Sequence, residues 1–233
     1  MFYSPNNITI EDIPFSKPAK KGVILRVKAC AICGYDARVF RNGHQKVTPP
    51  IILGHELCGE SMETITMAKG KVIKAGTRVA VSPIIPCLIC EYCHNKQYNL
   101  CINLREIGST IDGGFAEYVK IPEEILRIGG LISIPDTLSS EEAALLEPLA
   151  CCLNGFFHIG AVTKESSVVI IGDGPIGLLH LQLSKKLYGA KTILVGKIPA
   201  RIQKAKSMGA DRTVIGSDSN ETMYKILDCT HGI

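Results

Sequence analysis

Val168-Val169-Ile170-Ile171-Gly172-Asp173-Gly174-Pro175-Ile176-Gly177 is the stretch from which the fold is read. The apolar run Ser167–Ile171 stops at three glycines spaced G-x-G-x-x-G, and Gly177–Leu187 beyond them carries apolar residues at helical intervals. The spacing alone is weak, but between a strand and a helix it has a physical meaning. Gly172 permits a tight turn, Gly174 lets a pyrophosphate approach the backbone, and Gly177 lets the helix pack closely. The helix N-terminus offers unpaired N–H groups to the phosphates, and Pro175 and Ile176 are compatible with the turn. Thr192–Val195 is apolar again, so the order is β-α-β and the sheet is parallel. Ala200–Met208 then reads as a helix, Arg212–Ile215 as a third strand and Glu221–Leu227 as a further helix.

About 20 residues past such a turn, an NAD site wants an Asp or Glu for the ribose 2′-hydroxyl. The second strand instead ends Leu194-Val195-Gly196-Lys197-Ile198-Pro199-Ala200-Arg201. Gly196 stands where the acid belongs, with Lys197 and Arg201 close by, which leaves room and positive charge for a 2′-phosphate. The cofactor expected is NADP in preference to NAD. The alternative is that Lys197 and Arg201 are solvated helix-face charges and that NAD binds without the acid.

Toward the N-terminus the pattern differs. Residues 1 to about 135 show short runs such as Gly22–Val27, Thr77–Val81 and Phe115–Ile121, broken by Pro and Gly, with little helical period. Ser139 with Glu142 three residues on reads as a capping box opening a helix. The fold class expected is α/β plus β. The 233 residues are 46% hydrophobic with a net charge of +4, which describes a chain with a core and excludes a disordered tail. The positive charge is not gathered in a block, so no nucleic-acid partner is expected. There is no signal-peptide pattern at the N-terminus and no apolar stretch of the ~18 residues a membrane span needs, so a cytoplasmic protein without a membrane partner is expected.

Cysteine spacing carries the metal chemistry. Cys87-x-x-Cys90-x-x-Cys93-x(7)-Cys101 lets one short loop wrap one ion, and four thiolates around zinc leave no open position, so the expected role is structural. The competing readings are an iron–sulfur cluster, whose usual spacings differ, and plain buried thiols. Lys96 or Arg105 would offset the surplus negative charge. Elsewhere Cys33 and the pair His55-Glu56 supply thiolate, imidazole and carboxylate, the donor types of an open catalytic zinc. Each fragment alone is weak, since a lone Cys or His is usually a packing residue. Cys30 and Cys33 also form a C-x-x-C pair, but a redox pair belongs at a helix start in a βαβ unit, and this one falls in the β-rich half.

The order Cys33-Gly-x-Asp36, Gly54-His55-Glu56, the four-cysteine lobe, Gly113-Gly-Phe-Ala-Glu-Tyr118, Glu147-Pro-Leu-Ala-Cys151 and Gly172-Asp-Gly-Pro-Ile-Gly177 resembles the zinc-dependent medium-chain alcohol dehydrogenases, in their polyol and threonine dehydrogenase branch. The resemblance implies a GroES-like β-barrel catalytic domain over residues 1–155 and an incomplete Rossmann domain over 156–233. It implies one structural zinc and one catalytic zinc held by Cys33, His55 and Glu147, with Glu56 near the metal or tuning it. Cys151, one helical turn after Glu147, is the alternative third ligand. It further implies oxidation of a small alcohol or polyol by hydride transfer to NAD(P), in a homodimer or homotetramer. Family members run on for roughly another hundred residues, so a catalytically silent zinc-binding remnant is the competing expectation. Tyr35 departs from the family's Ser or Thr, and a direct proton relay through it is not expected. Asp36 reads as an architectural hydrogen-bonding group, His44 as a loop histidine that could alternatively relay protons, and Cys58, Cys152 and Cys229 as packing residues.

Overall fold

The computed structural model describes residues 1–14, 22–216 and 219–230. The chain divides into two compact units, Met1–Glu147 and Pro148–Ile233. The division falls inside the helix Leu146–Ile159, whereas the sequence reading puts its domain boundary at residue 155.

In the first unit a five-stranded sheet pairs Tyr118–Ile121, Val23–Ala31, Glu56–Ser61, Arg78–Val81 and Leu131–Ser133 in that order. All its pairings are antiparallel. Alternation works as a half-buried strand requires: in Tyr118–Ile121, Val119 and Ile121 are buried and Tyr118 and Lys120 exposed. The inward residues Val23, Leu25, Leu57, Val79, Val81 and Leu131 meet in one apolar core. Each such side chain contributes about 1.5–3 kcal/mol on burial.

The expectation of little helical period in this half needs correcting: besides the short helices Glu91–His94 and Glu123–Arg127 it holds one longer helix. Gly34–Asn42 is a helix with Cys33 at its N-cap, buried through Asp36 and Val39. Its start is fixed by a cap: the Asp36 carboxylate accepts from the Cys33 backbone N–H at 2.8 Å. The C-x-x-C pair therefore does sit at a helix start. Cys30, however, stays on the strand, where burial first and the Asp36 and Glu56 charges next push its thiol up to about 12, so it packs as an unreactive group.

In the second unit Ser167–Ile171, Lys191–Gly196 and Arg212–Ile215 pair in parallel, in chain order. The middle strand is covered on both faces. Leu194 packs with Leu181, Ile202 and Ala205 from the helices Pro175–Gln182 and Pro199–Ser207. Ile193 and Val195 pack with Ile226 and Cys229 of the helix Ser219–Thr230. The helix expected over Gly177–Leu187 is α-helical over Pro175–Gln182 and continues as a π turn over Leu183–Leu187. Among the described residues no helix is long and apolar enough to cross a membrane.

Candidate metal centres and dinucleotide turn

The open donor set is assembled by strand register. Val23–Ala31 and Glu56–Ser61 run antiparallel with Ala31 opposite Glu56. Cys33, two residues past the end of one strand, thus arrives beside His55 and Glu56 at the start of the other. The approach to His55 is shaped by close backbone packing. Gly54 has φ +96, Gly114 N–H donates to its carbonyl at 2.8 Å, and a Cβ on Gly113 would strike that same carbonyl. This accounts for the Gly113-Gly114-Phe115 signature on packing grounds.

One ligand atom each from Cys33, His55 and Glu56 lies within 4.8 Å of the others. Glu147 does not enter that group; Glu56, expected near the metal or tuning it, does. Glu147, first-turn residue of Leu146–Ile159, is close enough for its charge to act on Glu56. Burial above all, then Glu147 and Asp36, raise the Glu56 carboxyl above the ordinary range, against the lowering influence of Cys33 and His55. Cys151 is exposed on the same helix. Cys58 and Cys152 are buried and Cys229 packs under the second sheet.

The donor set fits a divalent cation on an independent sign. Asp36 Oδ1 is buried and, among the described residues, lacks a hydrogen-bond partner. It faces His55 Nδ1 at 3.6 Å. A cation on Nε2 would fix the proton on Nδ1 and complete a carboxylate–histidine–metal arrangement. Burial opposes the imidazolium, but Asp36 and Cys33 outweigh it and push His55 up to about 10. Positive charge is wanted at that ring. Tyr35 packs its ring edge-to-face against His55, centroids 5.7 Å apart, and its hydroxyl is bonded to Ser109 Oγ at 2.8 Å and His44 Nδ1 at 3.3 Å. Ser109 carries no sequence signal and was found only by this contact.

The four thiols of Cys87, Cys90, Cys93 and Cys101 also converge within 4.8 Å. Cys87 Sγ and Cys93 Sγ are 3.9 Å apart, close to the edge of a tetrahedron with bonds of about 2.3 Å. The lobe supplies donors to anionic sulfur. Cys87 N–H reaches Cys101 Sγ at 3.2 Å, and the N–H groups of Ile102 and Cys93 hold the Cys90 thiol down to about 6. Arg105, expected to offset the thiolate charge, is instead paired with Glu124 at 2.6 Å.

In the second unit the turn after Ser167–Ile171 has the geometry its glycines call for. Gly172 has φ +129, and a Cβ on Gly177 would collide with the Gly172 carbonyl. Gly174 is the N-cap and Pro175 the first residue of the helix, so the free N–H groups of its first turn, Ile176 included, open beside the turn. Gly196, Lys197 and Arg201 lie at the end of the neighbouring strand and start of the next helix.

Residues 19–135 match the alcohol dehydrogenase GroES-like domain. The chain belongs to this family, the zinc-type alcohol dehydrogenases. D-arabitol-phosphate dehydrogenase of Enterococcus avium is 35% identical over 93% of the chain, and sorbitol dehydrogenase of Bacillus subtilis strain 168 is 36% identical over 92%. The chain spans 60% of the length of each of these relatives. Among solved structures, a zinc-binding dehydrogenase from Sinorhizobium meliloti 1021 bound to NADP is 38% identical with a TM-score of 0.80, covering 91% of this chain and 59% of that one. An alcohol dehydrogenase of Escherichia coli CFT073 complexed with NADH is 29% identical with a TM-score of 0.85, covering 99% and 65%. The GroES-like domain and the partial Rossmann sheet are thus the fold of this family of alcohol dehydrogenases.

Proposed function

We propose that the chain carries the metal centres and the dinucleotide turn of an oxidoreductase that converts a small alcohol or polyol to a carbonyl by hydride transfer to NAD or NADP. The observation behind this reading is the convergence of Cys33, His55 and Glu56 within 4.8 Å, with an orphaned Asp36 oxygen behind the histidine. Cys33 as thiolate and Glu56 as carboxylate balance the charge of a divalent ion, and Asp36 orients His55. Glu147, the third ligand that the family resemblance implies, supplies a further carboxylate close enough for its charge to act on Glu56. When bound, zinc supplies a Lewis acid that stabilises negative charge on the substrate oxygen. The four-thiol lobe takes a second, structural zinc. The names of the relatives support a polyol or polyol phosphate as substrate.

For the cofactor, Gly196, Lys197 and Arg201 support NADP, while an acidic side chain brought to the same strand end supports NAD. We assign the enzyme to the cytoplasm, tested by cell fractionation, and to a homodimer or homotetramer, tested by light scattering on the purified protein. The function itself is tested by zinc content and by NAD(P) reduction over a panel of polyols and secondary alcohols. Two zinc ions per chain are expected, falling to one in Cys33→Ser with loss of turnover. One zinc per chain in the unaltered protein, unchanged by Cys33→Ser, would remove the open site.

A further inference from the structure

The end of the strand Lys191–Gly196 has no acid of its own, yet the structure delivers one from elsewhere. Asp173, the residue between the first two glycines of the turn, is buried and turns its carboxylate onto that strand end. Its Oδ2 accepts from the backbone N–H of Lys197 at 2.8 Å and of Ile198 at 2.7 Å. Its Oδ1 lies 3.7 Å from the Arg201 guanidinium. Gly196 is what permits this: a Cβ there would sit 2.5 Å from Asp173 Oδ2 and 2.7 Å from its Cγ. The missing acid at Gly196 and the acid at Asp173 are one arrangement.

These donors are the ones a 2′-phosphate would use. The adenosine ribose of a dinucleotide on this fold lies over the end of the second strand, and an anion there is held by N–H groups at the start of the next helix and by a nearby guanidinium. In this chain both N–H groups are already filled, and the guanidinium faces a carboxylate. We propose that Asp173 is the specificity-determining residue of the cofactor site, acting as a resident anion that excludes a 2′-phosphate and turns the choice to NAD. This rests on reading the chain as a dinucleotide-dependent dehydrogenase. It reverses the NADP expectation, in which Lys197 and Arg201 count as free cations; Arg201 faces Asp173. The family does not settle the matter, since structures of its members hold NADP in one case and NADH in another.

The test is calorimetric titration of the purified chain with NADH and NADPH, for the unaltered protein, Asp173→Asn and Asp173→Ala. Asp173→Asn keeps the shape and the accepting oxygen but removes the charge; Asp173→Ala frees both N–H groups. The unaltered protein is expected to bind NADH about tenfold or more tightly than NADPH, and the variants to shift the ratio toward NADPH by about tenfold or more, Asp173→Ala further. ADP against 2′,5′-ADP on the unaltered protein gives the same discrimination with no variant, so misfolding of a variant leaves the question open to measurement. Preference for NADPH and 2′,5′-ADP in the unaltered protein, or a ratio that folded variants leave unmoved, overturns the proposal while the dehydrogenase reading stands. Failure of every nucleotide to bind overturns both.

Discussion

At the scale of single residues, two side chains act through their neighbours. Asp36 caps the helix Gly34–Asn42 with one oxygen and faces His55 with the other, so helix position and ligand orientation share one carboxylate. Asp36→Asn keeps the cap acceptor and removes the charge behind the imidazole. Zinc affinity at the open site is expected to fall about 10–100-fold, read by competition with a chromophoric chelator, with the fold retained by circular dichroism. Gly196 has the opposite kind of importance, since its lack of a side chain is what matters. Gly196→Ala is expected to cost about 1–3 kcal/mol by overpacking against Asp173, measured by denaturant unfolding. Were the loss no greater than that of an exposed Gly→Ala change, Asp173 would have to be held more loosely than the structure shows.

At the scale of elements, Asp211 ties the start of the strand Lys191–Gly196. Its carboxylate accepts from Thr192 N–H at 2.7 Å, Thr192 Oγ1 at 2.9 Å and Lys185 Nζ at 2.9 Å. Burial raises its carboxyl, but Lys185 and Thr192 outweigh burial and hold it below the ordinary value of 3.8. A folded value below the unfolded one gives stability that is complete above about pH 4 and lost as pH falls through the folded value. Thermal melts of the unaltered protein and Asp211→Asn should therefore differ at pH 6 and draw together as pH falls below 3.8. The elements also show what could be read in advance. The strand Ser167–Ile171, the strand Arg212–Ile215 and the capping box at Ser139 and Glu142 are visible because apolar runs and cap residues are local signals. Gly34–Asn42 is hard to see in the sequence because it is short and, of its two buried residues, Asp36 and Val39, only one is apolar. The meeting of Cys33 with His55 and Glu56 is a matter of strand register, and the placing of Asp173 on Lys197 and Ile198 one of parallel pairing; neither is written in any window of sequence. The four-thiol lobe was legible because all its donors lie within one short loop.

At the scale of the molecule, the two metal centres of the first unit should differ in how they let go. The lobe would surround an ion with four sulfurs and supporting N–H donors, whereas the other donor set offers three protein donors and would leave a tetrahedral ion one further position. Graded chelation is expected to strip the three-donor centre first and leave one zinc per chain, with the loop around Cys87–Cys101 still resistant to protease. Further chelation should release the second ion and expose that loop to cleavage. Simultaneous loss of both ions, followed by elemental analysis, would contradict the separation.

His55 and Glu56 stand at the head of Glu56–Ser61, which is hydrogen-bonded to Val23–Ala31 from Glu56 onward and to Arg78–Val81 along Cys58–Glu60. Backbone anchored on two sides directly beyond the donors has little freedom to rearrange for a different guest, so the donors would dictate geometry to an ion they receive. Cobalt(II) offered to those donors would be forced into the same lopsided surroundings, and its visible absorption would become a direct optical readout of what else has taken the remaining place.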